Sequence, residues 1–310
     1  MQIEKVACVG GGLIGAGWAL LFAIKGFSVT LQSRRKETVE KAVEDIYSNL
    51  SFLEEKGLVK NGSTEVILKR IKTTTEFLDA VKDSDYIQES VAEDLELKKK
   101  IFGRIDAEAR PDAIIASSSS ALLMSEIQEA ATKPERCVIV HPYNPVHLIP
   151  LVEIVPGKKT SPETVKIAYD LMLKLGKVPV VAKKEAPGYI VNRLAHVLFR
   201  EAVDLVDKGI ATVEDMDKAF TAGPGLRWAI MGPFLTYHLG GGPRGIDEFF
   251  EKYQMGLSTS VVEKIIKGVK EEEFVRTKSM KELIRWRDEK LIDLLRILYP
   301  DVIKSLHVSS

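Results

Sequence analysis

Through the first two-thirds of the chain, short apolar runs alternate with longer segments of helical period. VACVG (6–10), VTLQ (29–32), YIQES (86–90), AIIAS (113–117), CVIVH (137–141), LVEIV (151–155) and VPVVA (178–182) read as strands. Runs as uniformly apolar as AIIA and CVIV suit parallel strands buried on both faces. The stretch from about Leu13 to Lys25 reads as a helix closed by Gly26. Over 36–57, Val39, Val43, Ile46, Leu50 and Leu53 recur in steps of three and four, one apolar stripe of a helix that opens a helical insertion over about 36–70. Ser161 caps a further helix with Pro162 at its first position. From Pro187 onward only helical periods remain, over 188–208, 213–222, 232–240, 258–269 and 279–298. Strand–helix units followed by helices alone predict an α/β domain, a doubly wound and mostly parallel sheet, and then an all-α C-terminal domain. The boundary is expected at Ala186-Pro187-Gly188, giving domains 1–186 and 187–310.

Composition narrows the function classes. The chain's 310 residues suffice for two cores, and 45% hydrophobic with 28% charged residues is an ordinary globular balance. Lys and Arg number 44, as do Asp and Glu, so no net field draws the chain to nucleic acid or an anionic membrane. The run Lys98 to Lys100 reads as solvated helix surface. Cys8 and Cys137 sit in apolar strands and read as small buried hydrophobes in a reducing compartment, with no disulfide and no metal site implied. No secretory signal or membrane-length apolar stretch occurs, and a cytoplasmic location is expected.

The chemistry begins in VACVGGGLIGAG, which sets Gly10, Gly12 and Gly15 in GxGxxG spacing between the first strand and the first helix. In that context the first glycine permits the tight turn and the second lets backbone approach a pyrophosphate. The third lets the helix pack on the strand, and the helix start at Leu13 and Ile14 offers N–H groups to the phosphates. This makes the sheet a dinucleotide-binding domain of the Rossmann type. At the end of the second strand, Ser33 stands 18 residues after Gly15, where a carboxylate ordinarily holds the ribose 2′-hydroxyl, and Arg34 and Arg35 follow. These donors suit a 2′-phosphate and favour NADP; the alternative is that both arginines are plain surface and NAD binds without its carboxylate.

His141 ends one strand and Glu153 lies in the next, 12 residues on. A histidine can take the proton of an alcohol, and a carboxylate partner fixes its tautomer and stabilises the imidazolium. The alternative is a histidine satisfied within the core.

GGGLIGAG, ESVAEDLELKKKIF, SSSSALL, HPYNPVHLIPLVEIV, PGYIVNRL and MGPF together resemble the 3-hydroxyacyl-CoA dehydrogenase family over essentially the whole chain. The resemblance implies that His141 and Glu153 are the acid–base pair. It also implies that Ser120, 21 residues before the histidine, and Asn192 contact the reacting oxygen of the substrate. Glu93 and Lys98 match the family's nucleotide-site pair, and Leu13, Ile14, Ser118 and Asn144 complete the implied cofactor set. The helical C-terminal part resembles the domain that pairs subunits, implying a homodimer.

Three departures concern the substrate. SSSS stands where acyl-CoA enzymes read SNTS, HPYNP where they read HFFNP, and GPGLRWAIMGPFLTYHLGGG where they carry an AGYPMGPF-type segment. All three resemble the branch containing L-carnitine dehydrogenase and L-gulonate 3-dehydrogenase (λ-crystallin), which act on small free hydroxy acids. Arg227 is the candidate clamp for such a carboxylate; it is equally suited to backbone carbonyls of its glycine-rich loop or a carboxylate at a subunit interface. Trp228, Tyr143 and Tyr237 offer aromatic faces for a trimethylammonium group, apolar packing being the alternative for Trp228. The rival readings are an acyl-CoA dehydrogenase, a lysine-dependent 3-hydroxyisobutyrate-type enzyme, and a crystallin-like protein that binds nucleotide without catalysis.

Overall fold

The computed structural model describes residues 2–60, 62–253 and 255–305. In chain order its first part runs β1 (Lys5–Val9), α1 (Leu13–Ile24), β2 (Ser28–Gln32), α2 (Lys36–Glu55), α3 (Thr64–Leu68), β3 (Ile71–Thr74), α4 (Phe77–Val81) and β4 (Tyr86–Glu89). It continues through α5 (Leu95–Glu108), β5 (Ile114–Ser117), α6 (Met124–Ile127), β6 (Cys137–Pro142), β7 (Leu151–Pro156), α7 (Pro162–Lys174), β8 (Val178–Val181) and α8 (Val191–Asp207). The strands form one sheet in the order β3-β2-β1-β4-β5-β6-β7-β8. Every pair is parallel except β6 with β7. This is the doubly wound, mostly parallel sheet expected, with the strand order reversing between β1 and β4 as in dinucleotide folds.

Side chains alternate between the two faces of each inner strand. Val6, Cys8, Ile114, Ala116, Val138 and Val140 pack with α1, α2 and α7, whereas Ala7, Val9, Ile115, Cys137 and Ile139 pack with α4, α5 and α6. Helices on both faces explain why these strands are apolar without interruption. The two cysteines therefore lie on opposite faces as free buried thiols, and burial pushes the Cys137 thiol up to about 12. The stripe of α2 differs by one position: Ala42 is buried beside Val39, Ile46, Leu50 and Leu53, while Val43 is 39% exposed at its rim. One strand went unread. β3 is four residues long, sits at the sheet edge and is nowhere fully buried, so no apolar run announces it.

The chain divides into two compact units, Met1–Leu198 and Phe199–Ser310, within α8 and past Ala186-Pro187-Gly188. The second unit holds α9 (Val213–Ala222), α10 (Pro224–Trp228), α11 (Pro233–Gly240), α12 (Ile246–Lys252), α13 (Thr259–Glu271), α14 (Glu273–Arg276), α15 (Met280–Leu298) and α16 (Pro300–Ser305), all helical as expected. Its core gathers Leu235, Leu239, Ile246, Phe249, Val269 and Leu283. Among the described residues no helix is long and apolar enough to cross a membrane, and no cluster of His, Cys, Asp or Glu could hold a metal ion.

The glycine turn offers a check on the packing. A Cβ at Gly15 would lie 1.8 Å from the Gly10 carbonyl oxygen, whereas one at Gly12 would meet nothing within 4 Å. Gly15→Ala is expected to lose about 1–3 kcal/mol of stability by backbone displacement. Gly12→Ala should stay within about 1 kcal/mol of the parent, its φ of −76° being open to alanine. Equal losses in denaturant melts would contradict the close approach.

Candidate active site

The turn after β1 is held from beneath. The Gly10 N–H donates to the Gln32 carbonyl (2.8 Å), and its φ of +110° is one that L side chains rarely adopt. The Ala16 N–H makes the bond to the Gly12 carbonyl (2.9 Å), so the N–H groups of Leu13, Ile14 and Gly15 precede the intrahelical ladder and face the turn. With Gly12 open to approach, this is a backbone anion site that fits a pyrophosphate.

Beside the turn lies a cleft of about 450 Å³ lined by Gly10, Gly12, Ser33, Arg34, Arg35 and Arg104, with Glu76 as its acid. Arg34 and Arg35 are exposed, and neither is ion-paired among the described residues, although the adjacent Lys36 pairs with Glu40. Arg104, which sequence reasoning missed, lies over the Phe77 ring at 4.1 Å and also pairs with Glu108 (2.7 Å). The cleft thus joins the phosphate turn to three guanidinium groups, and the residues fit a dinucleotide.

The lysine run corrects one expectation. Lys100 is exposed and Lys99 pairs with Glu129, but Lys98 is only 1% exposed. Its Nζ donates to both oxygens of Glu89 (2.8 and 3.1 Å) and to the Val91 carbonyl (3.3 Å). Glu89, also unread from sequence, is fully buried and accepts further bonds from the Ser117 hydroxyl and the Val91 N–H (both 2.6 Å). A buried charge pair persists where such hydrogen bonds offset its desolvation. Glu93 stands 3.5 Å from Lys98 and holds the serine loop, accepting from the Ser119 hydroxyl (2.6 Å) and the N–H groups of Ser120 (2.9 Å) and Ala121 (3.0 Å). Burial works to raise the Glu93 carboxyl, but Ser119, Lys98 and the two N–H groups outweigh it and keep it below the usual range.

In the antiparallel register His141 lies directly opposite Glu153, so both side chains leave the same face of the sheet. His141 Nδ1 is 2.9 Å from Glu153 Oε2, while Glu153 Oε1 accepts from the N–H groups of Ile190 (2.8 Å) and Val191 (3.1 Å) at the start of α8. Glu153 is fully buried and His141 nearly so. A second cleft, of about 530 Å³, is lined by Ile14, Ser120, His141, Tyr143, Asn144 and Asn192, with Glu93 and Ser118. Asn192 donates to the Ser120 carbonyl (3.0 Å) and accepts from the Tyr143 hydroxyl (2.8 Å). The Ser118 hydroxyl accepts from Trp18 (3.1 Å) and Gln88 (2.8 Å) and contacts Ser90, so it also braces the turn helix. Arg227 lies in the second unit, exposed in α10; there Trp228 is 43% exposed with its ring edge-on to Phe220, and Tyr237 packs on Phe249.

Burial works to raise the Glu153 carboxyl, and the bonds from His141, Ile190 and Val191 outweigh it, so its folded value lies below the ordinary 4.5. A carboxyl depressed by folding stabilises the chain fully above its unfolded value and loses that contribution as pH falls through the folded one. The stability gap between the parent and Glu153→Gln, read from urea midpoints, should therefore be constant near neutrality and shrink below about pH 4.5. A gap that persists unchanged into acid would contradict the assignment.

The sequence matches the NAD binding domain of 3-hydroxyacyl-CoA dehydrogenase over residues 5–186 and its C-terminal domain over 188–286. It is 38% identical to the L-carnitine dehydrogenase of Pseudomonas putida across 95% of this chain and 94% of that one. A solved 5-formyl-3-hydroxy-2-methylpyridine 4-carboxylic acid 5-dehydrogenase, an NAD+-dependent dismutase, is 29% identical with a TM-score of 0.74, covering 96% of this chain and 99% of its own. A solved 3-hydroxyacyl-CoA dehydrogenase from Archaeoglobus fulgidus is 27% identical with a TM-score of 0.73, covering 95% and 99%. With both domains matched in order and similarity running along nearly the whole chain, the protein belongs to the 3-hydroxyacyl-CoA dehydrogenase family of NAD-dependent hydroxyl dehydrogenases.

Proposed function

We propose that the chain oxidises the C3 hydroxyl of a small, free hydroxy acid, with L-carnitine the first candidate and L-gulonate the second. The observation that carries the oxidation is the His141–Glu153 pair standing behind a cleft that Ser120 and Asn192 line, and the 38% identity to an L-carnitine dehydrogenase supports the free acid as substrate. With Nδ1 committed to the Glu153 carboxylate, Nε2 is the nitrogen that takes the hydroxyl proton, and the carboxylate stabilises the resulting imidazolium. The Ser120 hydroxyl and the second N–H of the Asn192 amide donate to the oxygen as it becomes a carbonyl. A bound nicotinamide supplies the hydride acceptor. Arg227 is assigned to the substrate carboxylate.

Leu13, Ile14, Glu93, Ser118 and Asn144 form the cofactor-side lining, with Lys98 acting through Glu93 and Glu89. Ser33, Arg34 and Arg35 favour the 2′-phosphate of NADP, while the match to an NAD binding domain over residues 5–186 favours NAD. We assign 1–186 to dinucleotide binding and 187–310 to substrate binding and dimerisation. A homodimer is supported by the apolar positions that α8 leaves exposed: Leu194 (59%), Val197 (68%), Phe199 (67%) and Val203 (51%). Two buried free thiols suit a cytoplasmic setting. A second reading, an acyl-CoA substrate, is favoured by the likeness to the A. fulgidus enzyme.

Steady-state turnover of L-carnitine, L-gulonate, 3-hydroxybutyrate and 3-hydroxybutyryl-CoA, each with NAD and with NADP, separates these readings. A free acid should exceed the CoA ester by about tenfold or more in kcat/KM, the scale of one well-placed recognition contact; the reverse order would transfer the assignment to acyl-CoA. In the same assay, the double change Arg34→Ala and Arg35→Ala should raise the KM for NADP by about tenfold or more, the worth of a charge-assisted hydrogen bond, and leave that for NAD nearly unchanged. Equal effects on both cofactors would remove the 2′-phosphate role.

A further inference from the structure

Tyr143 is not explained by the acid–base pair or by the cofactor clefts, yet it closes a chain of hydrogen bonds that ends at the substrate cleft. It follows His141-Pro142 at the end of β6, half-buried, with its ring edge-on to the His141 imidazole at 5.6 Å and 61°. Its hydroxyl reaches the first turn of α8 and donates to Asn192 Oδ1 at 2.8 Å. At its other end the same amide gives an N–H to the Ser120 carbonyl at 3.0 Å.

The chemistry of these partners fixes which way the amide faces. The Ser120 carbonyl accepts only, so the amide nitrogen must be turned toward it. The amide oxygen is then left facing Tyr143 and needs a donor there. The phenol meets that need at any physiological pH, because burial and the nearby Glu153 charge push its ionisation above the usual range. One amide N–H has no partner within the chain among the described residues, and it belongs to a side chain that lines the cleft with His141 and Ser120.

We propose that Tyr143 is a positioning residue for the reaction: by occupying Asn192 Oδ1 it locks the amide so that its free N–H is held for the reacting oxygen. This rests on the reading of Asn192 as an oxygen donor. Without the phenol the amide loses one of its two anchors and can turn about its last torsion, so the donor is present but no longer preorganised. The consequence falls on the chemical step and leaves ground-state binding nearly unchanged, because the oxygen becomes the stronger acceptor only as the proton leaves it.

The test uses Tyr143→Phe, which keeps the ring against His141 and deletes only the hydroxyl, together with Asn192→Ala and the double variant. Each is assayed on the acid of the panel that turns over fastest, after thermal melts establish that it is folded. Tyr143→Phe is expected to lower kcat about tenfold while leaving both KM values within about twofold. The acid limb of the kcat/KM profile should keep its position, since the phenol acts through Asn192 and not through the imidazole. In the Asn192→Ala background, the same change should have almost no further effect on kcat. Two losses that multiply would overturn the proposal, as would a moved acid limb or an effect confined to KM. If Asn192→Ala alone turns over at the parent rate, the donor reading fails first and the positioning role fails with it.

Discussion

Glu153 is a carboxylate with no exposure to solvent, and its two oxygens bind in different directions. One meets the imidazole of His141 across the β6–β7 pair, and the other takes the two N–H groups that open α8. A buried charge left unpaired costs several kcal/mol, so neither set of partners can be released independently. One side chain therefore ties a strand end, its antiparallel neighbour and the start of a helix into a single geometry. Asn192 follows Val191 directly in the chain, so the carboxylate that orients the imidazole also fixes where the amide begins. The turn leading into this junction is itself strained: Tyr189 has a φ of +49° and is held in place by its hydroxyl on the Leu122 carbonyl (2.7 Å).

A similar arrangement recurs on the cofactor side. Glu89 ends β4 fully buried, and Lys98 of α5 reaches back to it, while Glu93 gathers the hydroxyl and N–H groups of the loop after β5. Ser117 is thus held by one carboxylate and Ser119 and Ser120 by the other, and Ser120 is delivered to the cleft that contains His141. All of this occurs at the carboxyl ends of the parallel strands, where an open α/β sheet leaves its crevice. The fold supplies a rigid edge, and buried acids position the polar groups along it.

The elements with strong periods were legible from sequence: the buried strands, the glycine turn and the helical second part. Their apolar runs report burial directly, and the glycines report backbone that no side chain could accompany. What escaped was set by contacts distant in sequence. β3 carries no apolar run because the sheet edge does not bury it. Three consecutive lysines give no hint of which one turns inward; only the family resemblance singled out Lys98, and its buried bond to Glu89 went unread. The available signal was Glu89, an acid at the end of a strand whose four residues are all buried, which demands a cation nearby. Tyr143 was readable only as an aromatic face, since nothing local shows that its hydroxyl reaches an amide 49 positions away.

The account turns on His141 as the group that takes the proton while cofactor binding belongs to the glycine turn and its arginines. The most direct test is rapid-mixing measurement of nicotinamide reduction by the acid that the parent turns over best, comparing the parent with His141→Ala and titrating the cofactor in parallel. The variant should bind the cofactor as tightly as the parent and reduce it at least about 10²-fold more slowly, the scale of a lost general base. Reduction at the parent rate with normal binding would contradict the assignment of the base, and with it the role given to Glu153.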